Sequence, residues 1–114
     1  ESLRTWHRDW YLHLAEMAEP RLTGPDQVAW YARLEAERDN LRAALRWCLE
    51  RGEDELGLRL AAAVERFWTT CGYLTEGHVW LETFLKRTEA VKQRVDQARL
   101  KEPPPSAGRV IDVD

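Results

Sequence analysis

DELGLRLAAAVERFWTTCG, residues 54–72, decides the fold. Within it Gly57, Leu60, Ala61, Val64, Phe67, Trp68 and Cys71 recur at steps of three and four, the spacing that gathers side chains on one face of an α-helix. Gly72 closes the stretch, since glycine enters at little cost the left-handed conformation in which helices often end. The spacing therefore predicts a helix over 54–70. The next segment, GYLTEGHVWLETFL (72–85), reads as a return helix capped by Thr75 and carrying Trp80, Leu81, Phe84 and Leu85. Ala61, Val64 and Trp68 before the turn then face Leu74, Gly77, Leu81 and Phe84 after it. A residue as small as Gly77 lets the two helices approach, and rings on either side fill the remaining space.

The same signals divide the rest of the chain. Residues 3–19 hold no Gly or Pro, and Leu3, Trp6, Trp10, Leu14 and Met17 form a helical stripe that reads as a packing face. Pro20 stops this helix, and Pro25 with Asp26 starts a second over 25–37. A third follows over 39–51, with Asp39 or Asn40 as its cap and Gly52 as its stop. No breaker separates the second from the third, but the Asp-Asn pair favours a break. Thr88 reads as the cap of a sixth helix, in which Val91, Val95 and Ala98 make a thin apolar stripe among Lys92, Arg94, Asp96 and Arg99. No strand-like alternation precedes the tail. The expected fold is all-α: about six helices packed as antiparallel hairpins over residues 1–102. Residues 103–114, with three consecutive prolines and then Arg109-Val110-Ile111-Asp112-Val113-Asp114, read as a Pro-rich linker and a short extended tail.

Composition narrows the function classes. The 114 residues suffice for one domain with its own core. Seventeen basic residues against twenty acidic ones leave a net charge of -3, so direct nucleic-acid binding is not expected. No apolar run reaches the roughly 18 residues of a membrane span, and no secretory leader opens the sequence. Two cysteines are too few for a disulfide framework, so the expected location is the cytoplasm. Cys71 falls on an apolar stripe and reads as a small core residue; Cys48 could be buried or exposed.

Catalytic signals are missing. The glycines never form a phosphate-cradling loop, and His7 and His13 lie nearly opposite each other on their helix, wrong for joint metal binding. The carboxylates alternate with arginines, as Glu35 and Asp39 do with Arg38 and Arg42, which reads as a salt-bridged face. No enzyme activity, cofactor or metal is expected. The tryptophans are the unusual feature, six in so short a chain. Trp6, Trp10 and Trp68 are assigned to packing faces. Trp30 and Trp47 sit among polar neighbours, and Tyr31, Tyr73 and Trp80 can join them, so these five are the candidate partner or ligand surface.

Three stretches carry a resemblance. LHLAEMAEPRLTGPDQ (12–27), LEAERDNLRAALRW (34–47) and GYLTEG (72–77) followed by WLE (80–82) resemble a segment of large bacterial signal-transducing NTPase regulators, many of them LuxR-type transcriptional regulators. The resemblance covers about residues 3–87 and departs from the family pattern from Glu89 onward. It implies a tetratricopeptide-like helical arrangement, cytoplasmic, acting as a protein-interaction or sensor module that relays partner or effector binding to an NTPase core. The implied partners are another protein or other domains of the same parent chain, with homo-oligomers also open. The alternative is a small-molecule effector domain with an aromatic-lined pocket between hairpins.

Overall fold

The structure, a computed structural model, describes residues 2–101. Six α-helices and one 3-10 turn make up the described residues: α1 (Ser2–Ala18), the 3-10 turn Glu19–Thr23, α2 (Gln27–Ala36), α3 (Arg38–Arg51), α4 (Asp54–Ala63), α5 (Glu65–Thr70) and α6 (Leu74–Lys101). The all-α expectation holds. The linker and tail expected over residues 103–114 lie outside the described residues.

Both glycine stops work as read. Gly52 and Gly72 have φ of 69° and 87°. After α3, the Glu53 amide donates to the Cys48 carbonyl at 2.9 Å and the Gly52 amide to Leu49 at 3.3 Å. After α5, the Tyr73 amide reaches the Trp68 carbonyl at 2.7 Å and the Gly72 amide reaches Thr69 at 3.4 Å. This double closure satisfies carbonyls that the helix end would leave bare, and the ring of Tyr73 then stands edge-on to Trp68, 5.7 Å between centroids.

Those two turns stack the chain back and forth. Arg4 over Trp47 and Tyr11 against Glu37 place α1 antiparallel to α3. Arg8–Glu53 and Glu16–Arg59 pairs place α1 parallel to α4. The antiparallel pairing of α4–α5 with α6 is fixed by three juxtapositions: Asp54 with Arg87, Gly57 with Phe84, and Trp68 with Gly77. The helix α4 is thus central, with α1 and α3 on one side and α6 on the other. The core is a single cluster including Leu14, Leu22, Leu34, Leu41, Leu45 and Leu60 around the wholly buried Phe67, Trp68 and Phe84.

Four boundary expectations change. The helix read over 54–70 bends at Val64 (φ -101°, ψ 4°), yet its hydrogen-bond ladder continues through the bend, from Val64 to Leu60 and from Trp68 to Val64. The bend accompanies the complete burial of two adjacent large rings, Phe67 and Trp68, which a straight helix would aim about 100° apart. The break between the second and third helices lies at Glu37, not at Asp39 or Asn40. The Glu37 carboxylate accepts from the Tyr11 hydroxyl and from Asn40 instead of capping a backbone amide. The second helix begins at Gln27 because Pro25 and Asp26 form the preceding turn. The expected fifth and sixth helices are one: Thr88 caps nothing, its hydroxyl donating back to the carbonyls of Phe84 (2.9 Å) and Leu85 (3.0 Å). With no Gly or Pro between residues 78 and 102, nothing interrupts α6.

The largest correction concerns α1. Its buried face is Arg8, Tyr11, Leu12, Leu14, Ala15 and Ala18, whereas Leu3, Trp6, Trp10 and Met17 are exposed, Trp6 by 63%. Ala15 and Ala18 permit the close approach of neighbouring helices. Arg8 is carried inward because Glu53 meets it at 2.6 Å, with Asp9 beside it at 2.7 Å. Of the two cysteines, Cys71, read as a core residue, is half-buried, whereas Cys48, left open between buried and exposed, is wholly buried. Burial pushes the Cys48 thiol up to about 11, helped by the charge of Glu53.

A Cβ added at Gly57 would lie 2.2 Å from the ring of the buried Phe84, so Gly57→Ala is expected to cost about 1–3 kcal/mol through overpacking. This loss should appear although alanine is the better helix former by about 1 kcal/mol. At Gly24 the same addition meets only the Arg21 carbonyl at 3.8 Å, and Gly24→Ala should change stability by no more than about 0.5 kcal/mol. Urea melts of the two variants check the contrast.

Candidate interaction surfaces

The five aromatic residues singled out from the sequence do not form one patch. Tyr31, Tyr73 and Trp80 belong to a seam that ties α2 and α3 to α5 and α6. Tyr73 occupies its middle. Its hydroxyl donates to the Glu35 carboxylate at 2.9 Å and accepts from Arg38, and Arg38 also pairs with Glu35 at 2.6 Å. The Arg38 and Arg42 guanidinium groups lie over the Tyr73 ring at 5.4 and 5.5 Å, and Arg42 also lies over Trp68 at 5.5 Å. Such cation–ring contacts gain strength where water is thinned out.

Arg42 then grips Glu76 with two parallel hydrogen bonds of 2.7 and 2.6 Å, the fork geometry in which arginine holds a carboxylate best. The Trp80 indole donates to the same carboxylate at 3.2 Å, and its ring stacks on Phe84. Tyr31 reaches across to the Thr70 hydroxyl at 3.2 Å. The polar ends of Tyr31 and Tyr73 therefore tie helices together, while that of Trp80 holds the Glu76 carboxylate within α6.

Trp30 and Trp47 lie elsewhere. Trp30 is half-buried between the guanidinium groups of Arg21 and Arg33, at 5.7 and 5.4 Å. Trp47 forms a wall of a groove of about 480 Å³ between α1 and α3, lined also by Leu3, Arg4, His7, Arg46 and Glu50. Arg4 and Arg51 flank its ring at 5.3 and 5.2 Å, and its indole nitrogen is buried with no hydrogen-bond partner among the described residues. Trp47 thus faces a concave surface of ligand size.

The most exposed aromatic surface was assigned from the sequence to the core. Trp6 and Trp10 stack with centroids 6.1 Å apart and planes 4° from parallel, with His13 tilted against Trp10 at 6.4 Å. Leu3 and Met17 extend this stripe along the outside of α1. A legible signal was the competing stripe of Leu12, Ala15 and Ala18: small residues mark the side where helices come close.

Among the described residues no group of three or more His, Cys, Asp or Glu side chains is placed to hold a metal, and no helix is long and apolar enough to cross a membrane.

The chain is similar to an HTH-type transcriptional regulator of Mycobacterium bovis and to two of Mycobacterium tuberculosis, from the CDC 1551 and H37Rv strains. Each is 36% identical over 80 residues, 70% of this chain. The chain spans only 9% of the length of those relatives. No family model matches the sequence, and no solved structure does.

The Glu76 carboxyl is held below its ordinary 4.5, foremost by the Arg42 hydrogen bonds, with burial opposing and Trp80 assisting. The native state thus releases this proton more readily than the unfolded chain. The resulting stability is complete above pH 4.5 and is lost as pH falls through the lower native value. Glu76→Gln is expected to destabilise by about 1 kcal/mol at pH 7, the range of a partly exposed pair. Its melting-temperature deficit against the parent should shrink as the solution is acidified below pH 4.5.

Proposed function

We propose that this chain is a non-enzymatic interaction or sensor module of a multidomain transcriptional regulator, a tetratricopeptide-like stack that passes partner or effector binding to an NTPase core. The similarity to three much longer regulators, of which the matched stretch is 9%, supports the regulatory setting. The three stretches that resemble signal-transducing NTPase regulators support the finer reading. The antiparallel stacking of α1, α3, α4–α5 and α6 is compatible with a tetratricopeptide-like arrangement.

The observation that carries the interaction role is the bare stripe of α1. An amphipathic helix usually buries its largest rings, and here Trp6 and Trp10 face outward while alanines face in. Tryptophans are the commonest anchors of protein interfaces. The proposed occupant is another domain of the same regulator or a protein partner. Association of two copies through this stripe is a further arrangement it allows. The effect on the core would be a shift between pre-existing states, in proportion to the difference in affinity for each.

A second reading is favoured by one feature, the groove between α1 and α3. Arg4, His7 and Arg46 around the unpartnered indole of Trp47 suit a small anionic effector with an aromatic or acceptor edge.

Sedimentation velocity of the chain mixed with the remaining domains of its regulator separates the readings. The Trp6→Ser, Trp10→Ser double variant should weaken the complex at least about tenfold with the melting temperature unchanged. Association that ignores this substitution would sink the interaction reading. Saturable quenching of tryptophan emission by a metabolite, abolished by Trp47→Phe, would instead support the effector reading.

A further inference from the structure

The helix α6 outruns the body it belongs to. Gly77, Leu81, Phe84, Thr88, Val91, Val95 and Ala98 follow one another at alternating steps of four and three, a single seam down the helix. Its first part is covered: Gly77 and Phe84 are buried against α5 and α4, and Leu81 and Thr88 are half-buried. The seam then continues into solvent. Every residue from 89 to 101 is exposed, Val91 by 41% and Val95 by 45%. Where the covering helix stops, a groove of about 620 Å³ opens between α6 and the start of α4, lined by Leu56, Leu58, Thr88, Val91 and Lys92 and, at its α4 end, by Glu53, Asp54 and Glu55. Glu53 is paired with Arg8 and Asp54 with Arg87.

Charge says what fits there. Arg87, Arg94 and Lys101 run at seven-residue intervals along one flank of the seam, and Lys92 and Arg99 along the other. The two acidic residues of this segment, Glu89 and Asp96, are also seven apart and lie on the outer side, away from the seam. Arg87 is held by Asp54 at 2.6 Å, while no ion pair engages Lys92, Arg94, Arg99 or Lys101 among the described residues. A second copy of the chain laid on this seam would set cations against cations in either orientation, so self-pairing is opposed.

We infer that residues 88–101 of α6, with the groove beside Leu56 and Val91, dock an acidic amphipathic helix. Its apolar residues at three- and four-residue spacing would cover Val91, Val95 and Ala98, and its flanking Glu or Asp side chains would meet the two basic rows. Fourteen residues of seam correspond to about 21 Å, three to four helical turns. This surface is separate from the α1 stripe, and different substitutions test the two.

The probe is a synthetic 21-residue helix with leucine along its seam and glutamate on both flanks, set against the same peptide with lysine on the flanks. Isothermal titration calorimetry should show the glutamate peptide binding at least about tenfold tighter, with the preference shrinking as salt rises from 50 to 500 mM. Val91→Asp with Val95→Asp should abolish binding without lowering the melting temperature, since both residues are exposed. Arg94→Glu with Arg99→Glu should shift the preference toward the lysine peptide. Equal affinity for the two peptides, or no binding of the acidic one, overturns the inference. So does dimerisation of the chain that Val95→Asp removes, which would make a second copy the occupant. Salt-sensitive binding of duplex DNA that displaces the acidic peptide would make the basic rows a nucleic-acid surface and overturn it likewise.

Discussion

Two glycines, each opposite a ring, set the distance on which the whole body depends. Gly57 of α4 receives Phe84 of α6, and Gly77 of α6 receives the base of Trp68, whose Cβ would lie 2.8 Å from any Cβ added there. The exchange is reciprocal: each helix supplies one hollow and one ring. It draws α6 close enough to α4 and α5 that Phe84 and Trp68 are wholly buried, the largest contributions to the core. The Arg42–Glu76 fork and the Tyr73 hydrogen bonds can close only because the helices have already reached that spacing.

Electrostatics then orders what packing brought together. On one side of the body, Arg38 and Arg42 of α3 are spent on the rings of Trp68 and Tyr73 and on the Glu76 carboxylate. On the other, Arg8 and Arg59 reach from α1 and α4 to Glu53 and Glu16. The cations of the body are largely consumed by internal pairs, which is consistent with an acidic chain that presents no broad basic face. Among the described residues, Lys92, Arg94, Arg99 and Lys101, which no ion pair engages, lie at the far end of α6.

What could be read from the sequence follows the range of the interactions. The stops at Gly52 and Gly72 depend on a few residues and were visible, as was the hollow at Gly77, because its ring comes from the helix just before the turn. The face of α1 was not, since ring size was taken as the sign of burial. The true determinants were two alanines and an arginine whose partner, Glu53, lies 45 residues away. Thr88 could be a cap or a back-bonding residue on local chemistry, and the uninterrupted run without Gly or Pro was the better guide. The internal hydrogen bonds of Tyr73 and Tyr31 were not legible for a similar reason. Glu35 and Thr70, the partners of Tyr73 and Tyr31, come from other helices, and no spacing rule finds them; Glu76, the partner of Trp80, lies four residues before it on α6. The surroundings of Trp47 include Arg46, Glu50 and Arg51, which are local in sequence.

An unbroken α6 has a geometrical consequence. The hollows at Gly57 and Gly77 lock not only how near this helix lies but also its angular phase about its own axis. Everything beyond Thr88 inherits that phase, as the far end of a shaft inherits the setting of its keyed end. Inserting a single residue after Phe84 would leave both hollows filled and turn the distal segment by about 100° while advancing it about 1.5 Å. Inserting seven would restore the phase almost completely at the cost of length. The outward half of α6 is therefore indexed to the body in discrete steps, and its facing is set by residues that never touch it.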